Sequence, residues 1–205
     1  MSLDTSKEYI LENERVRLTP LSSDHENIMM GFAINEPTLW TYSLLSADGE
    51  ENMRAYLAAA FANKEKGLSY PFLVYDKLKG EYAGSTRFYD YQSIHNTIQL
   101  GYTWYGQYFQ GTGINKQCKY LMLEFAFKEL NLDRVEFRAD ANNQRSIAAM
   151  KSIGCTVEGI LRSNCAKPGG RRDSIILSLL RDEWLGGKKD ALAAKIELEK
   201  SKHND

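Results

Sequence analysis

Six consecutive residues, Gln110, Gly111, Thr112, Gly113, Ile114 and Asn115, could do chemistry through their backbone. Two glycines one residue apart let a chain turn sharply and aim several N–H groups at one point. If a helix starts there, the positive end of its dipole adds to those donors. A phosphate or pyrophosphate could then be held without a cationic side chain. Glycine also serves plain tight turns, so the spacing by itself fits either use. The segment is not a G-x-x-x-x-G-K-[ST] loop, which the sequence lacks, and it does not follow the first strand of an alternating βαβ series. A second group, Asn143-x-x-Ser146, has the residue types of a helix cap, in which Asn satisfies a free backbone N–H. Cys118, Cys155 and Cys165 form no C-x-x-C pair, and His25, His95 and His203 are scattered, so no metal site is expected.

Elements must position these residues. Residues 15–21 alternate polar and apolar, which predicts a strand. Residues 22–34 and 48–66 read as helices, the first opened by Ser22, Ser23 and Asp24, the second closed by Gly67. Strands are predicted at 70–75, 82–91 and 97–105, with turns at 76–80 and 93–96. Gly101 inside the last of these predicts a bulge or a close backbone approach. A helix over 113–130, a strand over 134–140 and a helix over 143–153 follow, then strands at 156–164 and 174–180 around a loop at 167–172. Arg171 and Arg172 could attract an acidic substrate, but the favoured reading is a solvated hairpin tip. The Lys- and Glu-rich segment after Trp184 reads as a solvated helix that frays. The order β-α-α-β-β-β-α-β-α-β-β is that of one mixed α/β domain.

Composition narrows the class. In 205 residues, 43% are hydrophobic and 26% charged, and the formal net charge is -1. That balance argues against disorder and against broad coating of nucleic acid, which needs a basic excess. No apolar run is long enough for a membrane span, and residues 1–14 lack the apolar core of a signal peptide. A cytoplasmic protein is expected, with no membrane or nucleic-acid partner.

Taken in order, these residues resemble the GNAT superfamily of acyl-CoA N-acyltransferases, and within it the RimJ/RimL-like branch of ribosomal-protein alanine and serine N-acetyltransferases. The family's acyl-CoA loop runs Arg or Gln, two residues, Gly, one residue, then Gly or Ala. Gln110 to Ile114 fit it, and Asn115 departs at the final small position. Gln99-Leu100-Gly101-Tyr102-Thr103-Trp104 is similar to the branch's E-I-G-Y-x-W. Asn143-x-x-Ser146, Gly154, Glu158-Gly159, Asp173 and Glu183-Trp184 follow in the branch's order, so the resemblance spans 14–184.

The resemblance implies a GNAT-type α/β (α+β) fold: a mixed, mostly antiparallel central sheet flanked by helices. It implies a single domain over 8–184 and a charged tail over 185–205. It also implies acetyl transfer from acetyl-CoA, the cosubstrate, to a primary amine by direct attack in a ternary complex. The branch points to a protein N-terminal α-amine. A small-molecule amine (polyamine or antibiotic), or a non-catalytic acyl-CoA-binding sensor, stays open. By resemblance, the main chain of Tyr102, Thr103 and Trp104 would hold the pantetheine arm, and one N–H there would polarise the thioester carbonyl. Gln110, Gly111, Thr112, Gly113, Ile114 and Asn115 would hold the pyrophosphate. Asn143 would bind the pantetheine end or a bound water, and Ser146 would donate to the sulfur, making these two the candidate catalytic residues. Gln99 stands where many members carry a Glu base, and Met150 where many carry a Tyr acid. A homodimer, common in the branch, could form through the hairpin at 161–180.

Overall fold

The computed structural model describes residues 3–167 and 169–202. Pro168 of the predicted loop and His203 lie outside the described residues. Eight strands form one sheet: β1 (Leu11–Glu12), β2 (Val16–Pro20), β3 (Ser69–Asp76), β4 (Glu81–Gln92), β5 (Thr97–Tyr105), β6 (Arg134–Asp140), β7 (Thr156–Lys167) and β8 (Gly170–Leu180). Their spatial order is β1-β2-β3-β4-β5-β6-β8-β7. Every pairing is antiparallel except β5 with β6. A parallel pair needs a long crossover, and helix α3 (Ile114–Glu124) supplies it.

Period-two alternation sends neighbouring side chains to opposite faces. Leu73 of β3 packs with Trp40, Met53, Tyr56, Leu57 and Trp104 on the face covered by α1 (Glu26–Asn35) and α2 (Gly49–Glu65). Phe72 and Val74 turn to the other face and join the larger core built on α3 and α4 (Gln144–Ser152). Met53, Tyr56, Leu57 and Ala60 are the buried residues of α2, at the spacing its sequence predicts.

Beyond the short unpredicted strand β1, the later half of the chain departs from expectation in its elements. The predicted helix over 113–130 ends in a wide π turn, Phe125–Glu129, where Leu130 N–H donates to Phe125 O (3.0 Å). The extra residue in that turn lets Phe125, Ala126 and Phe127 all be buried. The last hairpin is tighter than predicted, with Lys167 paired to Gly170. After the short α5 (Arg181–Glu183), the segment read as a fraying, solvated helix forms α6 (Lys189–Lys202) and packs on the domain. Leu192 and Ile196 are buried in the main core, and Lys189 pairs with Glu124 (2.7 Å). Leu192 and Ile196 stand among many charges and beside exposed Leu185 and Leu198, which blurs the periodic signal for this face.

Candidate active site

Strands β5 and β6 pair only from Thr97–Gln99 to Arg134–Glu136. Beyond that point they diverge, and β6 continues alone against β8 to the Asp140–Ser174 pair. The main chain of residues 100–105 therefore has no strand partner on the β6 side. A cavity of about 940 Å³ occupies this opening, with Tyr102, Thr103 and Trp104 on one wall and Phe137 and Ala139 on the other.

On its β4 side, β5 carries one extra residue: Arg87 faces Gly101, but Ser85 faces Trp104. This bulge places Tyr102 at a φ of 50° and re-aims the local main chain toward the cavity. The other expectation for Gly101 also holds, because a Cβ there would lie 3.0 Å from the Tyr89 ring.

The Gly-rich loop sits at one mouth of the cavity. Gly111 (φ 76°) and Gly113 (φ 83°) both adopt the left-handed conformation that favours glycine. Gly113 caps α3, and Gly111, Gly113, Ile114 and Asn115 face the cavity. The first N–H groups of α3 thus lack helical partners just where the cavity opens. Gln110 braces the loop by donating from Nε2 to Tyr105 O (2.8 Å) and accepting on Oε1 from Arg145. Thr112 is not in the wall; its hydroxyl donates to Phe109 O (2.7 Å).

Asn143 Oδ1 accepts from Ser146 N–H (3.0 Å) and so caps α4. Asn143, Ser146 and Met150 all face the cavity, and Met150 offers no proton. Burial pushes the thiols of Cys118 and Cys155 up to about 12, so both are inert. Among the described residues there is no metal-binding cluster of His, Cys, Asp and Glu, and no helix is long and apolar enough to cross a membrane.

The structure adds residues that the sequence reading missed. Lys119 of α3 faces the cavity, yet is only 4% exposed. Its Nζ donates to Thr103 Oγ1 (2.7 Å) and Thr86 Oγ1 (3.3 Å). Burial without a carboxylate partner pulls its pKa down to about 7. Its register with buried Leu123 on α3 and Ala126 in the π turn that follows was a signal that could have found it. Arg172 corrects the hairpin-tip reading: it is 7% exposed, faces the cavity and donates from Nε to Ser174 Oγ (3.0 Å). On the α1–α2 side, Arg87 is held between Tyr56 and Tyr102, with its Cζ 5.1 and 4.2 Å from the ring centroids.

The profile of the acetyltransferase (GNAT) domain matches residues 15–156. The chain belongs to the GNAT acetyltransferase family. YdaF of Bacillus subtilis (strain 168), provisionally named a ribosomal N-acetyltransferase, is 32% identical over 116 residues, covering 57% of this chain and 61% of YdaF. The chain thus matches less than two thirds of that relative's length. A GCN5-related N-acetyltransferase structure from Brucella melitensis superposes with a TM-score of 0.85 at 23% identity, covering 93% of this chain and 86% of that one. The structure of RimL, a ribosomal L7/L12 α-N-protein acetyltransferase in complex with coenzyme A, superposes with a TM-score of 0.74 at 19% identity, covering 85% of this chain and 99% of that one. Both structures share the fold.

Proposed function

We propose that this GNAT-family protein transfers an acetyl group from acetyl-CoA to a primary amine, and that the amine is a protein N-terminal α-amine. The observation that carries the reading is the divergence of β5 from β6 with the Gly-rich start of α3 at its mouth. This arrangement suits a long ligand with an anionic end. Unpaired main-chain groups of residues 100–105 would bond the amides of the pantetheine arm, as a third strand would. The N–H groups at the start of α3 would meet the pyrophosphate. The bulge at Tyr102 and Thr103 would supply an N–H to the thioester oxygen as negative charge develops there. Asn143 and Ser146 would sit toward the sulfur, where the Ser146 hydroxyl would stabilise the leaving thiolate.

The amine would enter from the α1–α2 side. The charges of the cavity wall favour a peptide over a polycation. Of its two acidic residues, Asp140 is already paired with Lys167 (3.1 Å) and Asp90 is bonded to the amides of Gln99 and Gln92, while Arg145 and Arg172 contribute cationic groups. The α-N-protein acetyltransferase among the fold neighbours supports the same acceptor class. The experiment is a thiol-release assay with acetyl-CoA against Ala- and Ser-initiated peptides, spermidine and an aminoglycoside. Turnover of the peptides with little on the polyamines is expected. Turnover confined to the small amines would replace the acceptor. Tight acetyl-CoA binding with no turnover on any amine would make the protein a sensor.

A further inference from the structure

Where the superfamily base would stand, this chain has Gln99, whose amide cannot take up a proton at neutral pH. Gln99 lies at the last paired position of β5, just where the cavity opens, and is 7% exposed. Its Nε2 donates to Asp90 Oδ2 (2.6 Å). A carboxylate only accepts, so this contact fixes which end of the amide faces Asp90. Oε1 is turned the other way and is buried with no hydrogen-bond partner. Such an atom is costly to leave unpaired, and it belongs to a side chain that lines the cavity, so a small rotation of the amide would offer it to an occupant.

Asp90 is itself held in place. Its φ of 49° is left-handed, unusual for a residue other than glycine, and Oδ1 accepts from Gln92 Nε2 (2.6 Å). Both Gln99 and Asp90 face the cavity. The other ionisable groups at this corner are committed. Glu136, beside Gln99 on β6, pairs with Arg134 (3.2 Å) and Arg138 (2.8 Å). Tyr89, against Tyr102, has its pKa raised by burial and stays protonated.

We propose that Gln99 is a catalytic residue whose Oε1 accepts a hydrogen bond from the attacking amine, and that Asp90 is a positioning residue that holds the amide in this orientation. The proposal rests on the acetyl-transfer reading above. The amine reacts as its neutral form, with one N–H on Gln99 Oε1 and the lone pair directed at the thioester carbon. The N–C bond forms, the C–S bond breaks with its electron pair leaving on sulfur, and the proton lost from nitrogen ends on the thiol. No carboxylate base and no further reactant is required.

The test begins by titrating acetyl-CoA into the wild type, Gln99→Leu, Gln99→Glu, Asp90→Asn and Asp90→Ala. Steady-state kcat and KM are then followed against pH with the most reactive amine of the panel. All five proteins should bind acetyl-CoA equally. In the wild type, kcat/KM should rise with pH up to the pKa of the amine itself and shift when an amine of different pKa is used. Gln99→Leu should lower kcat roughly ten- to hundredfold, the scale of lost orientation in a reacting pair. Asp90→Asn keeps an oxygen to accept from Nε2, so it should retain more activity than Asp90→Ala. Gln99→Glu puts a second carboxylate against Asp90, which raises the pKa of the pair and should add a new limb to the acid side of the profile. Wild-type kcat and an unchanged profile in Gln99→Leu, with acetyl-CoA binding intact, would overturn this proposal alone. A wild type that turns over no amine, whether or not it binds acetyl-CoA, would overturn the acetyl-transfer reading and this proposal with it.

Discussion

On the α3 side of the cleft, Thr103, Thr86 and Lys119 bond to one another, Gln110 bonds to Tyr105 O, and Thr112 bonds to Phe109 O. On the α1–α2 side, Trp40 Nε1, Tyr56 Oη, Arg87 Nε and Nη2, and Trp104 Nε1 are buried donors with no hydrogen-bond partner. The first wall satisfies most of its own side chains, with Tyr105 Oη the exception, and leaves backbone groups free. The second leaves side-chain donors free around Trp40 and Trp104, whose rings lie 5.4 Å apart. A wall of the first kind suits one ligand of fixed shape, held mostly by main chain. A wall of the second kind suits a partner read through its side chains and carbonyl oxygens. Under the proposed function, these are the cosubstrate wall and the acceptor wall.

The largest effect should come from Gly111→Asp. The space around a Cβ at Gly111 is empty, so the fold should survive with a backbone cost of about 1–2 kcal/mol. The new carboxylate would face the pyrophosphate, and titration should show acetyl-CoA binding lost while the circular dichroism spectrum is unchanged. Retained affinity would break the assignment of the α3 wall.

Next in size is Lys119→Met. Lys119 has its folded pKa at about 7 against an ordinary value of 10.5, so between those limits the folded protein binds fewer protons than the unfolded chain. Wild-type stability from this group is therefore fully present above about 10.5 and is lost as pH falls toward 7. Lys119→Met removes the linkage. Its advantage over wild type should be greatest near pH 7 and below, and should shrink by on the order of 5 kcal/mol toward pH 10.5. Denaturant unfolding of both proteins across that range checks this, and a parallel dependence in both would contradict it.

The smallest effect is on the other wall. Arg87 is a buried charge, 2% exposed, with donors unpartnered, so Arg87→Met should leave stability unchanged or raise it by about 1–3 kcal/mol. The same change should raise the KM for the amine and leave acetyl-CoA affinity alone. A loss of acetyl-CoA affinity in Arg87→Met would erase the distinction between the walls.

The two walls also differ in how far the sequence revealed them. The α3 wall is built from contiguous chain. Strand β6 has the predicted bounds, the glycines at 111 and 113 have the left-handed angles such a loop requires, and Asn143 caps α4 as its residue type suggests. Even here Lys119 was hidden, because its partners Thr86 and Thr103 lie on two strands distant in sequence. The α1–α2 wall is assembled from Trp40, Tyr56, Arg87 and Trp104, which lie on separate elements and meet only when the sheet forms. Arg172 was misread for the same reason. Its position near a hairpin turn suggested solvent, but alternation along β8 turns it toward the cavity. The Gln99–Asp90 contact crosses a register irregularity between Tyr89 and Gln92 that no periodicity in the sequence marks.

The central claim is that the opening between β5 and β6 holds acetyl-CoA. Isothermal titration of acetyl-CoA into the wild-type protein tests it most directly. Saturable binding at one site per chain, displaced by coenzyme A and absent in Gly111→Asp, is the predicted result. No heat of binding with either ligand, or equal binding to wild type and Gly111→Asp, would contradict it.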